Sequence, residues 1–500
     1  MKQNEYLKKF FEIFPMEALT FDDVSLVTQY ADFLPDDAVL ETRLTRDLKM
    51  KTPFISAAMD TVTEWRMAVA MAMMGGIGII HKNLSLQEQA HQVGKVKHYL
   101  NGRIHTPISV RETDTIESIL QKRKEKAWNF HSFPVLDKNG KLVGILTGDD
   151  FDTCTDNSLK AADVMTKELI TAKPDTTLQQ AYGLMTRSKK KTLPLVDGNG
   201  KVVGMYIFSD VKRIVTGSSA MYNVDGNNQL RVGAAVGVGR YAIKRLEQLL
   251  EEGLDVAVID TAHGHSKGVI DTLRMIQNLR KKYDFEVIAG NVATYDGAKA
   301  LVEAGAGAVK IGVGPGSICT TRVVCGVGIP QLTAVYNAKQ GAGDVPVIAD
   351  GGIRYSGDVV KAIAAGADSV MMGSILAGTE ESPGEKTIIH GRQYVSYRGM
   401  GSLGAMQQNK GSRERYEQSK ADEDKLVPQG VEGVVPYSGL VRKVLTQFIG
   451  GLRSGMGYCG ARTIHELQET GKFVRVSAAG KDEGHPHDVE IMKEPPNYRR

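Results

Sequence analysis

The chain has 500 residues, 42% hydrophobic and 24% charged, and because single cores stop growing near ~250–300 residues it should hold two domains. Lys and Arg total 62 against 58 Asp and Glu, and the interspersed signs exclude a whole-chain field that would favour nucleic acid or a membrane surface. The four cysteines, Cys154, Cys319, Cys325 and Cys459, form no C-x-x-C pair and no metal-like spacing with His, which argues against a disulfide framework or a zinc site and for a reducing compartment.

The N-terminal MKQNEYLKKFFEIFP lacks a sustained apolar stretch, and no segment approaches the ~20 apolar residues of a membrane span, so a soluble cytoplasmic protein is expected. From there the chain shows eight short apolar runs, each ending in Gly, Asp, Asn or Ser and mostly followed by an amphipathic, helix-length segment. They are FISAAM (54–59), GGIGIIH (75–81), VGAAVG (232–237), VAVIDTA (256–262), EVIAGNV (286–292), AVKIGVG (308–314), PVIADGG (346–352) and SVMMGS (369–374). Unbroken rather than alternating apolarity suits parallel strands covered on both faces. Eight such strands favour a closed (β/α)8 TIM barrel over an open doubly wound sheet, with the functional rim at the strands' carboxyl ends.

Between the second and third runs lies an α+β insert containing an internal repeat. SVRETDTIESIL…FPVLDKNGKLVGILTGDD returns as TAKPDTTLQQAY…LPLVDGNGKVVGMYIFSD, each copy reading as strand, helix and a hairpin turned at Asn139-Gly140 or Asn199-Gly200. The pattern resembles a pair of CBS modules, a Bateman domain. The expected division is therefore 1–102 and 217–500 for the barrel and 103–216 for the insert. CBS modules often bind adenine or guanine nucleotides through a Thr or Ser three residues before an Asp. The first copy has Thr147 and Asp150; the second has Ile207 before Asp210, where the hydroxyl is missing. A pair used only for packing or oligomerisation is the other reading.

After the sixth run comes GVGPGSICTTRVVCGVGIPQ (312–331), whose glycines let the backbone approach a ligand closely. A lone Cys is usually a small hydrophobe, but Cys319 stands in a Gly/Ser/Thr loop at a catalytic rim, where a nucleophile is expected. GSICTT followed by GVGIPQ is similar to the active-site loop shared by IMP dehydrogenase and GMP reductase, and the resemblance spans essentially the whole chain. IADGGIRYSGDV (348–359) and MMGSILAGTEESPG (371–384) end the last two strands, where this barrel commonly binds phosphate with backbone N–H groups. Gly351, Gly352, Gly373 and Ser374 are the expected cradle, with Ser317 added by the resemblance. Asp350 suits a pair of ribose hydroxyls.

The resemblance also implies that Met400 and Gly401, in YRGMGSLGAM (397–406), meet the purine through their backbones beside Gly399. Tyr397 would help hold the phosphate, Gln429 would face the ring and Met59 would touch the substrate from the barrel floor. NAD would be held by Asp260, Gly312 and Gly314, since no GxGxxG unit signals a Rossmann domain. Cys319 would add to purine C2, hydride would pass to nicotinamide, and water would hydrolyse the adduct with help from a mobile flap, GSRERYEQ, carrying Arg415 and Tyr416. Thr321 is the second candidate for moving the proton. Some relatives end that relay in Glu where this chain has Gln429, an amide that takes no proton. A potassium ion would be held by carbonyls of Gly314, Gly316 and Cys319 and by a neighbouring subunit's Glu483, Gly484 and His485. That implies an oligomer, a homotetramer first, with an octamer formed through the CBS modules as the larger alternative. GMP reductase is the nearest rival, against which the insert and the flap both count. An inactive nucleotide sensor and an FMN oxidoreductase stand behind it.

Overall fold

The computed structural model describes all residues except 1–4, 14–16, 101–102, 105, 127, 129, 217–218, 409, 417, 419–421, 493–494 and 499–500. The expected domain borders at 102 and 217, and Glu417 of the flap, lie outside the described residues.

All eight apolar runs are strands of one closed, parallel barrel. They are β1 (Phe54–Ser56), β2 (Ile77–Ile80), β3 (Gly233–Val236), β4 (Val256–Asp260), β5 (Glu286–Val292), β6 (Ala308–Ile311), β7 (Val347–Asp350) and β8 (Ser369–Met372), and β8 pairs back onto β1 through Val370↔Phe54. Along each strand alternate side chains point inward. Ile55, Ile77, Ile79, Ala235, Val256, Val258, Ile288, Ala308, Ile348 and Met371 make one interior cluster, closed at the amino end by Leu44, Leu48 and Met50. The intervening residues, among them Ala257, Ile259, Val309 and Ala349, are fully buried too, beneath the outer helices. One more inward step from Val258, Ala308 and Ile348 reaches Asp260, Lys310 and Asp350, so the same alternation sets three charged groups in the layer at the carboxyl end.

The helices follow from their periodicity. In α3 (Gly239–Glu251), Ala242, Leu246, Leu249 and Leu250 share one buried face, and in α4 (Lys267–Ile276), Val269, Leu273 and Ile276 do the same. The others of the outer layer are α1 (Trp65–Met73), α2 (Leu86–Lys97), α5 (Tyr295–Glu303), α6 (Gln331–Ala342), α7 (Ser356–Ala364) and α8 (Val441–Tyr458). Beyond β8 the chain adds a three-stranded antiparallel sheet, β9 (Lys386–Ile389), β10 (Arg392–Arg398) and β11 (Glu432–Pro436). The flap segment, with short helices Leu403–Gln408 and Lys410–Arg415, runs between β10 and β11.

A second compact unit comprises His98–Ala220 with Gly226–Gln229. Its two repeats each contain a helix and a hairpin, Phe133–Leu136 with Leu142–Leu146 and Thr192–Val196 with Val202–Ile207. Gly140 and Gly200 both take φ of 78° in the turns, a conformation that favours glycine over L side chains. Each repeat has its own core, around Ile116, Phe133 and Leu146 in one and Met185, Leu195 and Val211 in the other. Asp150 Oδ2 accepts both the Thr147 N–H and the Thr147 hydroxyl at 2.7 Å, so this pair caps its own helix. Among the described residues no helix is long and apolar enough to cross a membrane.

Candidate active site

Three segments far apart in sequence are stitched into one surface by main-chain hydrogen bonds. Val431 N–H donates to Ile318 O at 3.0 Å and Thr320 N–H to Gln429 O at 3.0 Å. Gly399 N–H donates to Val431 O and Gln429 N–H to Gly401 O, both at 2.9 Å. Cys319 is thereby fixed opposite Gly430, within a loop tightened by its own N–H on Gly316 O at 3.1 Å. Its Sγ lies 3.1 Å from Thr321 Oγ1, and that hydroxyl donates to Gln429 Oε1 at 3.0 Å. A hydroxyl has one proton to give, so with Thr321 donating to Gln429 the thiol is the donor in the first contact.

Beside this chain of bonds, Gly351 and Gly352 take φ of 94° and 83°, conformations that L side chains rarely adopt, which leaves open backbone at the end of β7. Gly373 completes the cradle: a Cβ there would meet Tyr397 Oη at 2.9 Å and Met59 Sδ at 3.3 Å. Ser374 opens the short helix Ser374–Ala377. Burial pushes the Tyr397 phenol up to about 12 against a hydrogen bond to Ser317, which keeps it a proton donor at ordinary pH.

The inward charged layer forms a connected network. Lys310, with a side chain only 1% exposed, pairs with Asp350 Oδ2 at 2.5 Å and with Asp260 Oδ1 at 3.0 Å, and also donates to Asn291 Oδ1. Asn291 Nδ2 donates in turn to Asp350 Oδ2 at 2.9 Å. Asp260 carries a second ion pair, to Arg415 of the flap. Breaking a buried pair by deleting one partner strands the other charge. Lys310→Met is therefore expected to lower the unfolding free energy of the barrel by about 3–5 kcal/mol, read as a lower denaturant midpoint at unchanged slope. A midpoint within error of the parent would show that the pair contributes no net stability.

The flap is docked in the same place. Ala262 N–H donates to Arg415 O at 3.0 Å, and the Tyr416 ring covers Gly401, where a Cβ would lie 2.6 Å from Cζ. Burial raises the Tyr416 phenol above its ordinary value.

One cleft at the carboxyl end is lined by Met59, Gly312, Gly314, Gly316, Ser317, Cys319, Thr321, Asp350, Gly351, Gly352, Gly373, Ser374, Tyr397, Gly399, Met400, Arg415, Tyr416 and Gln429. Gly401 lies behind it, with its carbonyl taken by Gln429 and its face by Tyr416. Asp260 is likewise outside the lining, buried and paired with Lys310 and Arg415. Glu483, Gly484 and His485 are elsewhere, at the end of the helix Ala478–Glu483, where the His485 ring lies near Tyr355 and Tyr498. Sequence reasoning passed over Asn291 and Lys310. The signal for Lys310 was a single cation at an inward position of an otherwise apolar strand.

These features coincide with a known pattern: residues 18–487 match the IMP dehydrogenase / GMP reductase domain. The chain belongs to this family. Its relatives include inosine-5'-monophosphate dehydrogenases of Aquifex aeolicus, 51% identical over 96% of this chain and 98% of the relative, and of Bacillus subtilis, 48% identical over 97% and 98%. A crystal structure of a cysteine-to-alanine variant of Trypanosoma brucei GMP reductase with guanosine 5'-monophosphate is also similar. It has a TM-score of 0.84 and 38% identity over 95% of this chain and 98% of that one. That coverage leaves too little of this chain unmatched to omit the insert. The inserted repeat therefore does not separate the two activities within the family, contrary to the expectation from sequence.

Proposed function

We propose that this cleft converts inosine monophosphate and NAD to xanthosine monophosphate and NADH through a covalent Cys319 adduct. The family assignment makes the protein an oxidoreductase. The observation that carries the finer reading is the meeting, in one cleft, of Cys319, the Thr321–Gln429 bonds and the flap residues Arg415 and Tyr416.

In this reading Gly351, Gly352, Gly373, Ser374, Ser317 and Tyr397 hold the phosphate, and Asp350, whose Oδ2 is occupied by Lys310 and Asn291, offers Oδ1 to the ribose. An aromatic C2 gives up no hydride. Addition of the Cys319 thiolate makes that carbon tetrahedral, and its hydrogen then leaves with the bonding electrons to nicotinamide. Water next adds at C2, its proton passes to the flap or the Thr321 relay, and the C–S bond breaks to return the thiol. Because Asp260 serves both the cofactor ribose and Arg415, NAD and the closed flap exclude each other.

A potassium ion would be held by main-chain oxygens of the loop that carries Cys319. Arg322 takes the carbonyls of Val313 and Ile329 at 3.3 and 2.6 Å, and the oxygens of Gly314, Gly316 and Cys319 belong to the same loop. A set of main-chain oxygens without carboxylates suits a hard monovalent cation, which would steady the loop that presents Cys319. The remaining carbonyls would come from Glu483, Gly484 and His485 of a neighbouring copy in a homotetramer. The inserted repeat reads as a CBS pair open to adenine or guanine nucleotides, and the enzyme as cytoplasmic.

The deciding assay supplies IMP, NAD and potassium and follows NADH. NADH with xanthosine monophosphate as the product is the expected outcome. Silence there, with NADPH consumed in the presence of GMP, would identify a reductase instead, the activity named for the Trypanosoma brucei neighbour.

A further inference from the structure

The geometry points to Lys82 and Glu414 as a latch that holds the flap closed, a positioning pair acting through Arg415; the inference rests on the function proposed above. Among the described residues the flap makes two charged contacts with the barrel. One is Arg415 on Asp260. The other is Glu414, whose Oε1 accepts the Val238 N–H at 3.4 Å and whose Oε2 lies 3.8 Å from Lys82 Nζ. Val238 is the residue preceding α3, 13 residues long, whose positive end favours a carboxylate. The fit is close on both sides. A Cβ on Gly237 would meet Glu414 Oε2 at 2.3 Å, and one on Gly411 would meet Lys82 O at 2.8 Å.

Lys82 lies two residues past the end of β2, its side chain 4% exposed, and donates to the main-chain oxygen of Asp260 at 3.3 Å. The carboxylate paired with this buried ammonium is carried by the flap. A buried charge without a counter-charge is costly, so opening the flap is opposed at Lys82 as well as at Asp260. Burial pushes the Lys82 ammonium down to about 8; Glu414 holds it up, while the Arg415 and Arg245 guanidiniums facing it lower it further. Protonated Lys82 therefore favours the closed flap, and the latch weakens as pH rises through that value.

Latch strength would set whether water or a second NAD reaches the covalent adduct. Glu414→Gln, on a quarter-exposed flap side chain, is the first variant and Lys82→Met the second. Single-turnover hydride transfer should change by no more than about twofold, while adduct hydrolysis and the inhibition constant for excess NAD both fall roughly tenfold, as expected for the loss of one largely buried ion pair. The double variant should be no worse than either single one. Wild-type inhibition by NAD should tighten above pH ~8 and stay flat in Lys82→Met. Equal losses in hydride transfer and hydrolysis, with NAD inhibition unmoved, would mark the pair as merely structural. Tryptic cleavage after Arg413 or Arg415 gives a readout independent of turnover. It should quicken several-fold in Lys82→Met, which leaves the cut sequence unaltered, and unchanged cutting would overturn the latch. Wild-type enzyme that made no NADH from IMP would instead refute the proposed reaction, leaving the proteolysis result to judge the latch alone.

Discussion

Cys319→Ala is expected to slow NADH formation from IMP by at least about 10⁴-fold, the scale on which removing a covalent nucleophile acts. The size follows from the order of events: without a bond to C2 the purine stays aromatic and no hydride is available, so nothing else in the cleft can substitute. Binding should survive. The phosphate cradle is built from Gly351, Gly352, Gly373, Ser317 and Tyr397, and Cys319 lies outside the buried core. Calorimetric titration with IMP should give an affinity within about threefold of the parent, since binding and chemistry use different groups. Cys319→Ser should keep the contact with Thr321 yet remain nearly as slow, because a hydroxyl is the weaker nucleophile. The nucleophile assignment would be lost if Cys319→Ala still reduced NAD at a tenth of the parent rate.

How much of this was legible in the sequence depended on the range of the interactions involved. The barrel strands announced themselves because each is apolar on both faces, a local property of runs such as VAVID and SVMM. The loop at Cys319 was equally local, a nucleophile among glycines. What could not be read was pairing over distance. Nothing in 317–321, 397–401 or 429–431 states that they share main-chain hydrogen bonds, such as the one that Gln429 N–H donates to the Gly401 carbonyl. Lys310 was passed over as part of a strand, although the alternation that places Val258 and Ile348 inward also places Lys310 between Asp260 and Asp350. Lys82 and Glu414 were hidden for the same reason: one lies just past a strand, the other sits in a charged run, and only the fold brings them together.

Arg415→Ala separates the two halves of the reaction. The first turnover should release NADH at the parent rate, because Cys319 and the phosphate cradle are untouched, and then stall with the adduct in place. Steady-state turnover is expected to drop on the order of 10²–10⁴-fold, the contribution typical of positioned acid–base groups. A guanidinium offers five donors and no acceptor, so it takes water's proton only after losing one of its own. Arg415→Lys tests that point, since an ammonium can pair with Asp260 but lacks the planar fork. The Thr321 relay ends here at an amide, Gln429, which accepts a hydrogen bond but takes no proton at ordinary pH. That leaves the flap as the principal route, and Gln429→Glu should restore part of the lost hydrolysis in the Arg415→Ala background. Rapid-quench mass spectrometry of the adduct resolves both steps. Hydrolysis at the parent rate in Arg415→Ala would remove the flap from the chemistry, and a slowed first turnover would make Arg415 a residue of substrate binding instead.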